Sequence, residues 1–203
     1  MTRISRRMVI AALALAPAGC GSLLGGGGPP TALYTLTALH DFPPAGTPRR
    51  LQVLIDKPTS SDALDTTRIA LRRNQLSFNY FADAAWTDGA PAMIQSLLVE
   101  SLQRSGRVTA ASRDTLAIRG DVELRIEVRH FEAEYTGDVE LPTVRIELGL
   151  MLVRVEDRSI IATRTVTASA RPAKNDVPAV VAAFDQALHA AMTDTLTWIL
   201  ANA

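Results

Sequence analysis

The sequence predicts an α+β domain, a mostly antiparallel sheet with two amphipathic helices packed on one of its faces. Three observations carry this. Residues 121–131 at first alternate apolar and polar side chains strictly, and 143–155 repeat the pattern until their opposite side turns apolar at Met151, Val153 and Val155, the mark of strands buried on one side. Residues 89–105 and 176–201 instead repeat their apolar residues every three or four positions, the mark of helices with one apolar face. Neither kind of element can leave its apolar side in water, so the economical arrangement lays both helices on the apolar side of the sheet.

Taken in order, Leu33-Tyr34-Thr35-Leu36 is a short first strand, and the proline-rich stretch 40–49 ends it. Leu51-Gln52-Val53-Leu54-Ile55 is the second strand, stopped at Lys57-Pro58. Residues 67–72 and 76–81 flank Arg73-Asn74-Gln75 as a hairpin, with Asn74 able to take a positive φ in the turn. Asp88 offers an N-cap and Pro91 suits a first helical turn. Ile94, Leu97, Leu98 and Leu102 then share one face until Gly106 stops the helix. In 121–131, Val122, Leu124, Ile126 and Val128 point inward, and His130 continues their phase. In 143–155 the inward residues are Val144, Ile146, Leu148, Leu150 and Leu152. Asp157-Arg158-Ser159 turns the chain into a strand at 160–171, giving a three-stranded antiparallel meander. Asp176 caps the last helix, whose Val177, Val181, Phe184, Leu188, Met192, Thr195 and Ile199 form an apolar stripe.

The first nineteen residues read differently. Arg3, Arg6 and Arg7 make a basic start, and Met8 to Ala18 is almost wholly apolar. That run is about half the ~20 residues a membrane-spanning helix needs, so it reads as the core of an export signal. Ala18-Gly19-Cys20 closes it and resembles the lipobox of bacterial lipoproteins, with Pro17 standing where lipoboxes prefer Leu. Cys20 is the only cysteine in the chain, so it has no partner for an internal disulfide; lipidation after cleavage gives it a use. Ser5-Arg6-Arg7 resembles a twin-arginine signal, so two export routes stay open. Gly21 to Thr31 contains four consecutive glycines and two prolines and reads as a tether. The expected division is a signal peptide at 1–19, a lipidated glycine-rich tether at 20–32 and a folded domain at 33–203.

Composition narrows the function. Removing residues 1–19 removes three arginines and no acid, leaving 18 Lys plus Arg against 21 Asp plus Glu, a formal charge of −3. That balance argues against nucleic acid as a partner. The three histidines, His40, His130 and His189, lack the spacing of a metal site, so no metal or cofactor is expected. No Gly-x-Ser-x-Gly elbow is present, and the glycine run is followed by no Gly-Lys-Ser/Thr. No catalytic residue is assigned, and the chain is not read as an enzyme. Glu123, Arg125, Glu127 and Arg129 form a mixed-charge stripe on the solvent side of their strand. It is either a solvated face with cross-strand pairs or a charge-paired surface for a neighbouring subunit; the second reading makes these four the candidate partner-binding residues.

Leu64-Asp65-Thr66-Thr67-Arg68-Ile69-Ala70-Leu71, Tyr80 and Trp86-Thr87-Asp88 before the first helix complete an ordered set with Cys20, the tether, Tyr34-Thr35-Leu36, the strand at 51–55 and the closing helix. This set resembles the ABC-type transport auxiliary lipoproteins of the paraquat-inducible protein C type, over nearly the whole mature chain. The resemblance implies an accessory part of a lipid-transport system. In such a system an inner-membrane ABC permease and ATPase work with a periplasmic MCE-domain protein, and the lipoprotein docks that assembly. It also implies acyl chains, palmitate among them, on Cys20 and a place on the periplasmic face of the outer membrane, with which Gly21 is compatible. A second copy of the chain is a further candidate partner. The residues leave two alternatives open: a lipid-carrying periplasmic domain, and a scaffold lipoprotein of another envelope complex.

Overall fold

The computed structural model describes residues 31–42, 48–113, 120–137 and 139–203, and Thr31–Ala203 form one compact unit. Cys20 and the segments expected to be the export signal and most of the tether, residues 1–30, lie outside the described residues; Thr31 and Ala32, expected in the tether, belong to the compact unit, and Ala32 opens β1. The elements run β1 (Ala32–Tyr34), β2 (Gln52–Ile55), β3 (Thr59–Ser60), β4 (Arg68–Asn74), β5 (Ser77–Trp86), α1 (Ala90–Ser105), β6 (Ala110–Arg113), β7 (Val122–Glu134), β8 (Thr143–Arg154), β9 (Ile160–Ala170) and α2 (Val177–Asn202). The fold is α+β as expected.

All nine strands described form one sheet with β7 as its spine. Along one edge of β7 lies the whole of β8, antiparallel, and β9 continues the meander beyond it. The other edge of β7 is shared in series by β2, β3 and β4, all parallel to it. β6 extends the sheet beyond β2, and β5 and β1 extend it beyond β4. The long pairings are therefore antiparallel and the short ones parallel. The alternation within 121–131 and 143–155 announced the meander; β3 and β6 are too short to carry a pattern of their own, and no sequence expectation covered them.

Both helices contribute to a single core with the apolar side of the sheet. Trp86, Phe131 and Phe184 interlock at its centre, with ring centroids 5.1–6.0 Å apart and each at most 1% exposed. Aromatics are scarce in this chain, and three of them fill the space between sheet and helix where Leu and Val alone would leave gaps. α2 begins as expected, with the Asp176 carboxylate accepting the Ala179 N–H at 2.9 Å. Its buried stripe is rotated at the start, because Val180 is fully buried and Val177 and Val181 only half so.

Three local expectations need correction. The N-cap of α1 is Gly89, not Asp88, and no side chain caps it. A Cβ on Gly89 would stand 3.2 Å from Asp65 Oδ1, so the glycine leaves room for that carboxylate beside the helix start. The hairpin turn needs no positive φ at Asn74; instead the Asn74 side chain accepts the Leu76 N–H at 2.9 Å. His130 does not continue the inward phase. The β7–β8 register shifts between Val128 and His130, leaving Arg129 as the extra residue of a bulge. Phe131 takes the core position, and His130 is turned to the outer side.

Candidate partner-binding face

The sheet side away from the helices is built from alternate residues of β7, β8 and β9. Glu123, Arg125 and Glu127 reach it by simple alternation, and Arg129 reaches it through the bulge. The structure therefore brings all four predicted residues onto one face and links them in pairs. Arg125 Nε lies 2.5 Å from Glu123 Oε1 and 3.7 Å from Asp56. Arg129 Nε donates to Glu127 at 2.8 Å, and its Nη1 reaches Thr165 Oγ1 of β9 at 3.2 Å.

Gly149 makes that last reach feasible. It stands opposite Glu127 on one side and Thr165 on the other. A Cβ there would lie 2.8 Å from Arg129 Nη2 and 2.9 Å from its Cζ. The guanidinium thus lies flat across β8 at the one strand position with no side chain. Arg125, Arg129, Gly149, Met151, Thr163 and Thr165 line a surface groove of about 590 Å³, together with Asp56, Lys57 and Thr59. The side chains of Arg125, Glu127 and Arg129 are 42–58% exposed, so each single pair contributes at most about 1 kcal/mol to stability. Their arrangement matters more for what the face can meet than for holding the fold.

A second cluster lies beyond the bulge, at the end of the sheet where β4 joins β7. Glu132 carries a carboxyl group yet is fully buried. One of its oxygens accepts the Phe131 N–H at 2.6 Å; the other lies 2.6 Å from His130 Nδ1 and 3.1 Å from Arg72 Nε. The Arg72 contact is an ion pair whose direction is wrong for a hydrogen bond, so Arg72 Nε has no hydrogen-bond partner. Glu134 sits beside Arg145 at 3.5 Å, and Arg145 also donates to Glu147 at 2.7 Å. Burial alone would lower the Arg145 pKa, but the Glu147 hydrogen bond and the charges of Glu134 and Glu147 outweigh it, and the net direction is upward. Burial has the opposite effect on the Tyr135 phenol and raises it, against the opposing charge of Arg73.

Sequence spacing missed this cluster because it placed His130 inward. His130, Glu132 and Glu134 present atoms of metal-ligating type within 4.8 Å of one another. Arg72 and Arg145 already stand against the two carboxylates, so a cation would have to displace a guanidinium, and the cluster reads as a structural joint between β4 and β7. His189 also has a structural place. Its Nε2 lies 2.9 Å from Thr37 Oγ1, while Asp185 accepts the Thr37 N–H at 2.7 Å, and together they fasten the segment after β1 to α2.

Fold and face together define a two-layer α+β domain with one sheet surface packed by its own helices and one open and charge-lined. Among the described residues no helix is long and apolar enough to cross a membrane. The chain matches the family described as the ABC-type transport auxiliary lipoprotein component over residues 34–195. It belongs to that family. The Leu64–Leu71 and Trp86–Asp88 pieces of the resemblance are joined: Leu64 and Trp86 are both buried, Trp86 N donates to Thr67 O, and Asp65 flanks the start of α1.

A solved structure of a Xanthomonas campestris protein is 32% identical, with a TM-score of 0.79, covering 84% of this chain and 95% of that one. A hypothetical protein from Chlamydia trachomatis shares the fold at 10% identity, with a TM-score of 0.52 over 76% of this chain and 98% of that one. An uncharacterised protein of Bradyrhizobium diazoefficiens is 29% identical over 185 residues, 89% of this chain and 48% of that protein. The chain thus spans about half the length of that relative.

Proposed function

We propose that this auxiliary lipoprotein serves an MCE-type lipid-transport system between the two membranes. In this reading acyl chains on Cys20 hold it at the periplasmic face of the outer membrane. It carries no catalytic step and docks an MCE-domain protein, and through it the ABC permease and ATPase. One observation supports docking most directly: the outer face of β7–β9 stays open, with the Arg129 guanidinium laid across Gly149. Paired, half-exposed charges can exchange partners across an interface without an unpaired charge being buried, so they favour specificity and orientation.

The carrier alternative needs space for acyl chains between helix and sheet. Trp86, Phe131 and Phe184 occupy that space. The docking reading is therefore preferred.

The test is affinity purification of the tagged chain from detergent-solubilised envelopes, with mass spectrometry of the proteins recovered. The expected result is an MCE-domain protein or its ABC permease, reduced by Cys20→Ala and by Arg125→Glu with Arg129→Glu. If neither partner appears even after crosslinking, the docking role fails and a scaffold for another envelope complex takes its place. If the Arg125/Arg129 variant recovers the partner fully, this face is not the contact.

A further inference from the structure

β9 is an edge. Among the described residues it pairs only with β8, over its full length of 11 residues, about twice the commonest strand length. A long edge strand exposes a row of unpaired N–H and C=O groups, and proteins usually blunt such an edge with proline, lysine or a charge turned along it. From Ala162 to Ala168 no proline, lysine or outward charge interrupts β9; the one irregularity of its ladder, a bulge at Ile161, lies before that stretch. It contains no proline and a single charge, Arg164. That arginine is directed onto α2, where it donates to both oxygens of Asp194 at 2.8 Å.

The sequence of this edge also has a symmetry. Ala162-Thr163-Arg164-Thr165-Val166-Thr167-Ala168 reads almost the same in both directions about Thr165. Alternation puts Thr163, Thr165 and Thr167, all exposed, on the outer face, and Arg164 and the buried Val166 on the helix side. We propose that β9 pairs antiparallel with β9 of a second copy of this chain, about a two-fold axis at Thr165. In that register Thr165 faces its own equivalent, each Thr163 faces the other copy's Thr167, and each Ala162 faces Ala168. Threonine opposite threonine is a favourable cross-strand pair. Each Arg164 faces Val166, so the two arginines are not set directly against each other. A two-fold contact must present one self-complementary patch, and a near-palindromic strand supplies it. A strand from an unrelated protein would gain nothing from the symmetry.

The pairing joins two sheets into one. Their outer faces become continuous, which doubles the charged surface carrying Arg125 and Arg129. The pairing does not depend on that surface binding a partner.

Cysteine crosslinking in the envelope tests the register, with the full chain and its single native Cys20 as baseline. Facing residues in an antiparallel pair have Cα atoms about 4.5–5.5 Å apart, within reach of a disulfide. Thr165→Cys should therefore give a disulfide-linked dimer above baseline under mild oxidation. Thr167→Cys alone should not, because the two copies of residue 167 would be about 14 Å apart along the strands, four residues at about 3.4 Å each. Thr163→Cys with Thr167→Cys should restore the crosslink. No Thr165→Cys dimer above baseline, or equal crosslinking of the two single variants, overturns the proposal.

Sedimentation of the detergent-solubilised chain is a second test. Thr163→Glu with Thr167→Glu sets like charges opposite each other and should weaken the dimer by roughly tenfold or more. Thr163→Lys with Thr167→Glu sets opposite charges in the same register and should retain it. A dimer indifferent to both pairs of changes, or a parent chain that sediments as a monomer, overturns the proposal.

Discussion

At the scale of single residues, two positions control the outer face. Gly149 weakens a strand interior in principle, for want of a side chain to pack, yet here its empty place is where Arg129 lies. Gly149→Val should therefore leave stability within about 1 kcal/mol of the parent, or raise it, since valine favours strands. It should nevertheless displace the guanidinium and lower partner recovery as Arg129→Glu does. Chemical denaturation read beside the pull-down separates the two effects, and a variant that keeps full recovery would show that Arg129's position is immaterial. Glu132 is the opposite case, a buried carboxyl group that holds structure. Glu132→Ala leaves the Phe131 N–H without its acceptor and Arg72 without its counter-charge. The expected loss is about 3 kcal/mol, the low end for a broken buried pair, because Arg72 keeps 29% of its side chain exposed and can turn toward water. Glu132→Gln should lose less, since its amide oxygen can still accept the Phe131 N–H. A urea midpoint that does not move with Glu132→Ala would contradict this account.

At the scale of elements, what the sequence revealed depended on how long a periodic pattern ran. β7 and β8, at 13 and 12 residues, repeat often enough for alternation to be unmistakable. α1 and α2 hold their stripes over 16 and 26 residues. β3 and β6 span 2 and 4 residues and pair in parallel with distant segments, so nothing local marks them. The four charged face residues were legible for the same reason as their strand, since each polar position simply opposes an apolar one. The Glu132 cluster was not, because one inserted residue at Arg129 reverses the phase of everything after it. Phe131 following His130 was the available hint, two large residues competing for one inward position. Caps divide similarly. Asp176 was legible as a cap and behaves as one, while α1 starts at a glycine chosen for the room it leaves Asp65. Asp176→Ala should destabilise the domain by about 1 kcal/mol, measurable as a shift in urea midpoint at unchanged slope. No shift would mean that water satisfies the first turn of α2 equally well.

At the scale of the whole molecule, the anchor and the face are expected to act by different physics, and this can be separated by experiment. In the proposed arrangement, lipid on Cys20 adds no contact with a protein partner. It confines the domain to a layer set by residues 21–31, which reach at most about 40 Å when fully extended, and confinement raises the effective concentration of whatever the face binds. In the proposed docking the Arg125 and Arg129 side chains instead belong to the contact itself and set its intrinsic affinity. Losing the anchor should therefore be reversible by mass action, and losing the face should not. Raising the expression of Cys20→Ala should restore recovery of the proposed MCE-domain partner toward the parent level. Raising the Arg125→Glu, Arg129→Glu variant to the same level should leave recovery low, because reversed charges oppose the partner's at any concentration within reach. The salt response should differ in the same sense. Interactions between exposed charges weaken as the screening length falls from about 8 Å at 0.15 M to about 3 Å at 1 M. Added salt should thus lower recovery with the parent and Cys20→Ala chains and, by screening the repulsion, raise the low recovery of the charge-reversed variant. Pull-downs across an expression series and a salt series measure both. If expression rescues the charge-reversed chain as readily as the unanchored one, the outer face is not where the partner is held.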